Sequence, residues 1–334
     1  MKIAVDPTIP QPPKLPSRGN GLTVAIAGLA LGGAERIVLD WAKRIHPAWK
    51  VRLLVLRDHD QEWPVPPCVE IVRLQGRLGE KLRSLGREIA ASPHPVCLCH
   101  LLKREERAAL SLGGAFTVPV LHNAREGWLE EPSDLAEPYA LTVSQASAAD
   151  LHASGWRHPV SVIHHLPAPR TFAPGVRESF RQAWNIPPGA TVVGMIGAVK
   201  PQKDYPFALR VLKELLSRRD AYLVILGGPI GRHSRAAWEA ILREMEHLGL
   251  RHRVALPGFL PDAIQCLPAL DCVLNTSHYE GLSIATLEAL VNRVPVVASR
   301  VGGQGEVASR GLTLIAKDAP LEAWSEALEE SLGT

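Results

Sequence analysis

Short apolar runs and amphipathic segments alternate along most of the chain. The run LTVAIAGLAL at 22–31 is almost entirely apolar, as expected of a strand that is buried on both faces. In the segment GAERIVLDWAKRI at 33–45, the apolar residues recur at helical spacing. This order predicts a parallel sheet with helices on both faces. Further strands are predicted at 50–57, 69–74, 95–101, 117–123 and 140–146.

The Pro-rich stretch HLPAPRTFAPG at 165–175 interrupts this order and predicts a domain boundary. A second alternating series follows it. We therefore expect an α/β fold in which two doubly wound Rossmann-like domains, residues 21–168 and 169–334, face each other across a cleft, with a Pro-rich arm at residues 1–20. The second series consists of strands at 191–199, 221–228, 252–259, 271–277, 294–301 and 312–317, with helices at 206–219 and 235–249.

Composition limits the classes of function. The chain has 334 residues, of which 46% are apolar, and this length suits two domains. Its formal net charge of +3 is too small to indicate nucleic-acid binding. Basic residues cluster at 76–88 and 102–107, where we predict solvated helix faces. The alternative for both clusters is contact with an anionic membrane surface or an acidic acceptor.

The cysteines and the apolar runs bear on location. Five cysteines without metal-ligand spacing indicate buried thiols in a reducing compartment, and Cys97 and Cys99 should share one face of a strand. No apolar run reaches the length of a transmembrane helix, and the N-terminus lacks the apolar core of a signal peptide. We expect a cytoplasmic protein, with attachment to the inner face of the membrane as the alternative.

The stretch NTSHYEGLSIATLEAL at 275–290 places two carboxylates around a predicted helix start, with Ser283 as its N-cap. Glu280 in the loop could accept hydrogen bonds from hexose hydroxyls, and Glu288 in the helix could accept them from a ribose. Between them, the amides of Gly281, Leu282 and Ser283 could hold a diphosphate. The alternative makes Glu280 an ordinary loop residue and Glu288 a solvated helix residue.

Three further predicted strand ends carry candidate residues. Gly32 and Gly33 could bring backbone close to a ligand, or could form a tight turn that needs positive φ. His122 could bond a sugar hydroxyl or phosphate, or be structural. Lys200 and Lys203 could stabilise a leaving diphosphate, or form an exposed basic turn. Trp63 and Trp128 are weaker candidates for sugar stacking, with packing as the alternative.

These segments together resemble glycosyltransferase family 4, whose members are retaining, nucleotide-sugar-dependent enzymes with the GT-B fold. The resemblance runs from about residue 22 to residue 330 and is most specific in the C-terminal part. It is carried by LGGAERIVLDWAKRI, VLHNAREG, VSQASAADL, VVGMIGAVKPQKDYPFALRVLKEL, VALPGFLPDAIQCLPALDCVLNTSHYEGLSIATLEAL and PVVASRVGGQGEV.

The resemblance implies a role for each candidate. Gly32 and Gly33 would lie near the diphosphate and the transferred sugar, and His122 near the sugar and the acceptor. Lys203 would hold the diphosphate, Glu280 the hexose and Glu288 the ribose. A loop that reads the base through its backbone would be formed by Gly258, Phe259 and Leu260.

The same resemblance implies a UDP- or GDP-linked sugar as donor substrate, no cofactor, no metal, and a glycan, lipid-linked or small-molecule acceptor. Configuration would be retained, with the leaving diphosphate assisting deprotonation of the acceptor. The sequence departs from the family at Ala198, where an arginine is usual, and at its end, because Thr334 precedes the family's helix that crosses back to the first domain. Asp58 and Asp60 resemble a metal-binding Asp-x-Asp only by chance.

Alternatives to a transferase remain open from the sequence. The missing arginine favours a non-catalytic sugar-nucleotide-binding partner of another transferase. A nicotinamide-dependent oxidoreductase would use Asp58 on the ribose, but the glycine spacing around Gly28, Gly32 and Gly33 does not fit it. A hydrolase or an epimerase could share the two-domain fold.

Overall fold

The computed structural model describes residues 20–94, 96–123, 137–230, 234–260, 262–307 and 309–333. The chain divides into two compact units, Met1–His164 and His165–Thr334. Parallel strands alternate with helices in both units, as the apolar pattern predicts.

The first unit contains a seven-stranded parallel sheet of order β3-β2-β1-β4-β5-β6-β7. Its elements are β1 (Gly21–Gly28), α1 (Gly33–Ile45), β2 (Lys50–Arg57), β3 (Val69–Arg73), α2 (Leu78–Ala90), β4 (Val96–His100), α3 (Arg104–Leu112), β5 (Phe116–Leu121), β6 (Ala140–Thr142), α4 (Gln145–Ala153) and β7 (Val160–Val162).

The second unit contains a six-stranded parallel sheet of order β10-β9-β8-β11-β12-β13. Its elements are α5 (Val176–Ala183), β8 (Thr191–Ile196), α6 (Tyr205–Leu215), β9 (Ala221–Leu226), α7 (Arg235–His247), β10 (Val254–Gly258), β11 (Cys272–Asn275), α8 (Ile284–Val291), β12 (Val296–Ser299), β13 (Leu312–Ile315) and α9 (Leu321–Gly333).

In each sheet the strand order reverses beside the unit's first strand, between β1 and β4 and between β8 and β11. Such a reversal leaves the loops at the carboxyl ends of the two strands diverging, which opens a crevice for ligands. The predicted α/β class with two doubly wound domains is confirmed. The strands end earlier than predicted, β8 at Ile196 and β11 at Asn275, because the following residues leave the ladder to form the loops of that crevice.

Apolar residues fill both faces of each sheet. In the first unit Ile26, Leu53 and Leu54 are essentially inaccessible to solvent, and Cys97 and Cys99 are buried as predicted. In the second unit Tyr205 and Trp324 are the largest fully buried side chains. Among the helices within the described ranges, none combines the length and apolarity needed to cross a bilayer.

The two basic clusters behave differently. Helix α2 exposes Arg83 and Arg87, as the solvated-face prediction requires. In the cluster at 102–107, Lys103, Arg104 and Glu105 are exposed as predicted, but Glu106 and Arg107 of α3 are only 1% and 7% exposed, so the prediction is wrong for these two residues. Ion pairing explains their burial: Glu106 pairs with Arg57, and Arg107 donates to Glu137 over 2.7 Å.

A carboxylate clamp fixes α5 to the second sheet. Asp271, just before β11, accepts hydrogen bonds from Arg177 at 2.5 Å, from Arg181 at 2.7 Å and from the Val192 amide at 2.7 Å. Burial alone would raise the pKa of Asp271, but the hydrogen bonds from Arg177 and Val192 and the charges of both arginines outweigh it, so the pKa lies below its ordinary value. The clamp therefore needs the ionised carboxylate.

This clamp predicts an acid-dependent contribution to stability. Because the folded-state pKa of Asp271 is depressed, its stabilisation is fully present above the unfolded-state pKa and is lost as the pH falls through the folded-state value. The difference in unfolding free energy between wild type and Asp271→Asn should be constant from pH 7 to about pH 5, then shrink below about pH 4. Urea unfolding across this range measures it. A difference that stayed constant or grew on acidification would contradict the clamp.

Candidate active site

Two loops at the reversal point of the second sheet form the candidate site. The first follows β8 and covers residues 197–204, and the second follows β11 and covers residues 276–283. The first loop begins at Gly197, whose φ of +142° suits glycine. Its carbonyl accepts a hydrogen bond from the buried Tyr205 hydroxyl at 2.9 Å. This bond fixes the start of the loop to α6.

The two loops are locked to each other by hydrogen bonds to backbone carbonyl oxygens. The Thr276 hydroxyl donates to the Lys203 carbonyl at 2.8 Å. The His278 amide donates to the Gln202 carbonyl at 2.8 Å, and the Gln202 side chain donates to the Tyr279 carbonyl at 2.6 Å. Because each loop supplies both donors and acceptors, neither can shift without breaking bonds to the other.

Lys203 and Glu280 meet across this junction. Lys203 Nζ lies 2.5 Å from Glu280 Oε1, and their side chains are 18% and 8% exposed. The Ser277 hydroxyl donates to the same oxygen at 2.7 Å. Within the described residues no donor reaches Oε2, so that oxygen can accept a hydrogen bond from a ligand hydroxyl. Lys203 and the Ser277 hydroxyl thus hold Glu280 through one carboxylate oxygen, and the other oxygen stays available.

Helix α8 begins at the second loop as predicted. The Ser283 hydroxyl accepts from the Thr286 amide at 3.4 Å and caps the helix. In the described part of the chain no acceptor takes the amide hydrogens of Gly281, Leu282 or Ser283, and a helix start with free amides favours an anion. Glu288 lies one turn into the helix and is 4% exposed, so the solvated-helix alternative is wrong for it.

A buried polar network supports the second loop from below. Asn275 donates to the Ser283 hydroxyl at 3.1 Å and accepts from the Ser277 amide at 3.1 Å. Gln304, which is fully buried, accepts from the Thr286 hydroxyl at 2.9 Å and donates to the Ser299 carbonyl at 3.0 Å. These bonds couple the helix cap to the loop that carries Glu280, so the cap and the carboxylate hold a fixed relative position.

Gly302 lies directly against the Glu280 backbone. A Cβ atom at position 302 would lie 1.6 Å from the Glu280 carbonyl oxygen, and φ at this residue is +53°. The Gly303 amide donates to the Gly281 carbonyl at 2.8 Å. Only glycine leaves room for this approach, so the segment after β12 forms the floor under the second loop.

The other predicted residues of the second unit lie at the same edge of the sheet. Lys200 is exposed and makes no ion pair in the described ranges. Ala198 is the second residue after β8, and its methyl group carries no charge. At the end of β10, Gly258 has φ of +80°, and Phe259 and Leu260 follow it half-buried.

The two glycines of the first unit form the start of α1. Gly32 is the N-cap with φ of −99°, and Gly33 is the first helical residue, so the positive-φ turn is wrong for this loop. The Trp63 indole donates to the Gly32 carbonyl at 2.9 Å, and the Arg36 guanidinium lies 5.4 Å from the Trp63 ring centroid. Trp63 therefore holds the glycine loop through a hydrogen bond, and Trp128 lies outside the described residues.

His122 forms a pair with a second histidine that the sequence did not indicate. His122 Nε2 lies 2.8 Å from Nδ1 of His100, the last residue of β4. Burial lowers the pKa of His122 to about 4. Burial, and secondarily the charge of His122, lowers the pKa of His100 well below its ordinary value. Both imidazoles are therefore neutral at pH 7.

The Asp-x-Asp segment has a structural partner. Asp58 accepts from Arg73 at 2.8 Å, and Arg73 also donates to Glu62 at 2.6 Å. Within the residues that the structure describes, no three His, Cys, Asp or Glu side chains are grouped closely enough to hold a metal ion.

A known protein family matches the C-terminal half of the chain. Residues 176–333 match the family model of glycosyl transferases, group 1. Among curated proteins, a D-inositol 3-phosphate glycosyltransferase of Mycobacterium sp. (strain KMS) is 28% identical over 250 residues, covering 74% of this chain and 55% of that protein. The enzyme of the same name from Rhodococcus opacus (strain B4) is 32% identical over 164 residues, covering 47% and 36%. The chain thus spans about half the length of the curated relatives it matches.

Solved structures show the same fold. The crystal structure of Anabaena HepE in complex with UDP-glucose aligns with a TM-score of 0.75 at 18% identity, covering 93% of this chain and 90% of that chain. WaaG, a glycosyltransferase involved in lipopolysaccharide biosynthesis, aligns with a TM-score of 0.71 at 17% identity, covering 94% and 91%. At these identities the likeness establishes the fold alone.

Proposed function

We propose that this chain, whose residues 176–333 match the family model of group 1 glycosyl transferases, moves a hexose from a UDP- or GDP-linked sugar to a hydroxyl acceptor with retention of anomeric configuration. The nucleotide sugar is a substrate, and the reaction needs no resident cofactor. The family match itself specifies neither the sugar nor the stereochemistry. Those parts of the proposal rest on the contact between residues 197–204 and residues 276–283 of the second unit.

One observation supports the proposal most. The Lys203–Glu280 pair lies next to helix-start amides that no acceptor takes within the described residues. A nucleoside-diphosphate sugar presents an anion and a polyol in series. The junction offers a cation and free amide hydrogens for the anion, and an available carboxylate oxygen for a hydroxyl.

The proposed chemistry follows from where charge develops. As the bond from the anomeric carbon to the diphosphate breaks, negative charge grows on the leaving phosphate oxygen, and Lys203 together with the α8 amides would stabilise it. Lysine and amide dipoles perform this task without a divalent ion. Glu280 Oε2 would orient the hexose, and Glu288 the ribose. No enzymic nucleophile is assigned, so the leaving diphosphate would accept the acceptor's proton on the same face.

The acceptor belongs to the proposal as well. We assign its recognition to the first unit, where Gly32, Gly33 and His122 are the candidate residues. Curated relatives are named for D-inositol 3-phosphate, which supports a polyol as the acceptor; a glycan or a lipid-linked acceptor is the alternative. A cytoplasmic location fits such substrates. The exposed arginines of α2 would provide peripheral contact with the inner membrane face.

Differential thermal stabilisation tests the donor site. The purified chain should be stabilised by UDP or GDP and more strongly by one of their sugars, but not by NAD, because a ligand that binds only the folded state raises Tm. Donor turnover with and without an acceptor mixture then distinguishes transfer from hydrolysis. Stabilisation by NAD alone, or by no nucleotide at millimolar concentration, would contradict the proposal.

A second candidate is a non-catalytic sugar-nucleotide-binding partner of another transferase. Ala198 favours it, because half of the family's cationic pair is absent beside the diphosphate position. Restoring the charge with Ala198→Arg discriminates between the two. A transferase should gain activity from the added cation, whereas a binding partner should gain donor affinity without turnover.

A further inference from the structure

Asp204 joins the first loop of the candidate site to α6 and has an unusual backbone conformation. Its φ of +47° and ψ of +53° lie in the left-handed region, which few residues other than glycine, asparagine and aspartate adopt. Asp204 is also the N-cap of α6, a position where the backbone is ordinarily extended. A conformation of this kind costs free energy and persists only where the surrounding contacts hold it.

Contacts on both sides hold Asp204 in this conformation. The Thr276 hydroxyl, in the second loop, donates to the carbonyl oxygens of Lys203 and Asp204 at 2.8 Å and 3.1 Å. The Asp204 amide donates to the Pro201 carbonyl at 3.3 Å. The Asp204 carboxylate accepts from the Phe207 amide at 3.3 Å and so caps α6. The residue is therefore fixed by the second loop on one side and by the helix on the other.

The backbone of Asp204 sets the direction of the residue before it. Rotation about φ at this position turns the preceding segment, including Lys203, relative to α6. The negative φ values that an ordinary residue adopts lie about 100° or more from the observed +47°. A rotation of that size would carry Lys203 away from the second loop, where its Nζ lies 2.5 Å from Glu280 Oε1. The left-handed conformation thus directs the lysine side chain toward Glu280.

The charge of the Asp204 side chain contributes less than its backbone. Asp204 Oδ2 lies 3.3 Å from His278 Nε2, but the two side chains are 23% and 41% exposed. An ion pair that is open to water contributes little stability, and this pair is charged on both sides only when the histidine is protonated. Asparagine would tolerate the left-handed region and keep an oxygen for the cap. Conformation is therefore the property of Asp204 on which Lys203 depends.

We propose that Asp204 is a positioning residue for Lys203: its left-handed backbone, and not its charge, holds the ammonium group against Glu280, at the position from which Lys203 binds the diphosphate of the donor. The inference rests on the proposed function for the diphosphate only. The placement of Lys203 against Glu280 is a property of the chain without any ligand.

Nucleotide affinity in matched variants tests the proposal. Asp204→Gly and Asp204→Ala both remove the carboxylate and differ by a methyl group, which disfavours positive φ. In isothermal titration with UDP and GDP, Asp204→Ala should bind about tenfold more weakly than wild type, the factor that corresponds to the cost of a left-handed alanine. Asp204→Gly and Asp204→Asn should stay within about threefold of wild type, because both tolerate the conformation and both are accepted at an N-cap.

Two results of that titration would overturn the proposal. Equal affinities of Asp204→Gly and Asp204→Ala, whatever their Tm, would make the conformation a matter of stability alone. A loss in Asp204→Asn as large as the loss in Asp204→Ala would assign the effect to the charge of the carboxylate.

Urea unfolding without ligand separates this proposal from the proposed function. Glu280→Gln should lower the unfolding midpoint equally in wild type, Asp204→Gly and Asp204→Asn, because it leaves Lys203 without its anion. In Asp204→Ala the same substitution should lower the midpoint by less than half as much, since the lysine no longer reaches Glu280. An equal effect in all four backgrounds would overturn the positioning role. The expected urea result in a chain that binds neither UDP nor GDP would count against the proposed function alone.

Discussion

Replacement of Glu280 by glutamine should lower kcat/KM for glycosyl transfer by about a thousandfold, the range seen when one preorganised charged group is removed from a reacting centre. The amide keeps the shape of the side chain but removes the charge that holds Lys203. The Ser277 hydroxyl can still donate to the amide oxygen, so the loop should keep its position. Initial rates at varied donor concentration measure the effect.

The matched control is Glu322→Gln on the exposed face of α9, which should leave the rate unchanged. Circular dichroism and Tm must show that the Glu280 variant is folded, because breaking a largely buried ion pair can itself cost about 3 kcal/mol. A folded Glu280→Gln enzyme with more than a third of wild-type kcat/KM would remove Glu280 from the site.

Replacement of Lys203 by methionine should weaken UDP or GDP binding about thirtyfold, because a hydrogen bond between charged groups contributes about 2 kcal/mol. Methionine keeps most of the apolar stem and loses only the ammonium group. Isothermal titration with the nucleoside diphosphate measures the affinity directly, and kcat should fall as well, since charge on the leaving group grows during the reaction.

Two other lysine variants serve as controls for that measurement. Lys213→Met in the last turn of α6 is exposed and should bind nucleotide like wild type. Lys200→Met should weaken binding by no more than about threefold, as expected for an exposed cation screened by water. If Lys200→Met were as damaging as Lys203→Met, the missing arginine at position 198 would be compensated by Lys200, and the role assigned to Lys203 alone would be wrong.

Local sequence patterns predicted the parts of the molecule that depend on neighbouring residues. The alternation of apolar runs predicted both sheets, and Ser283 was recognisable as an N-cap because the helix formers follow it immediately. Strand ends were less accurate, since β8 and β11 stop where polar loop contacts replace the ladder. Strand β7, at Val160–Val162, was missed because three residues carry too little pattern.

Contacts between distant parts of the chain could not be predicted in this way. The bonds that lock residues 197–204 to residues 276–283 join segments about eighty positions apart, and the apolar run VCLCH gave no sign that its terminal histidine would pair with His122. The burial of Glu106 and Arg107 was missed for the same reason. A charged residue is predicted to be exposed from sequence, because its ion-pair partner lies on another element that the local pattern does not show.

The fit of Gly302 against the Glu280 carbonyl has a consequence for the evolution of this chain. Position 302 contacts no proposed substrate group, yet any side chain there would push the acidic loop out of register with the lysine facing it. A single substitution of Gly302 could therefore abolish activity, although every residue expected to contact the sugar nucleotide would be unchanged. Related chains that have lost transfer activity should therefore be identified first by a substitution at position 302, and only then by changes at Glu280 or Glu288.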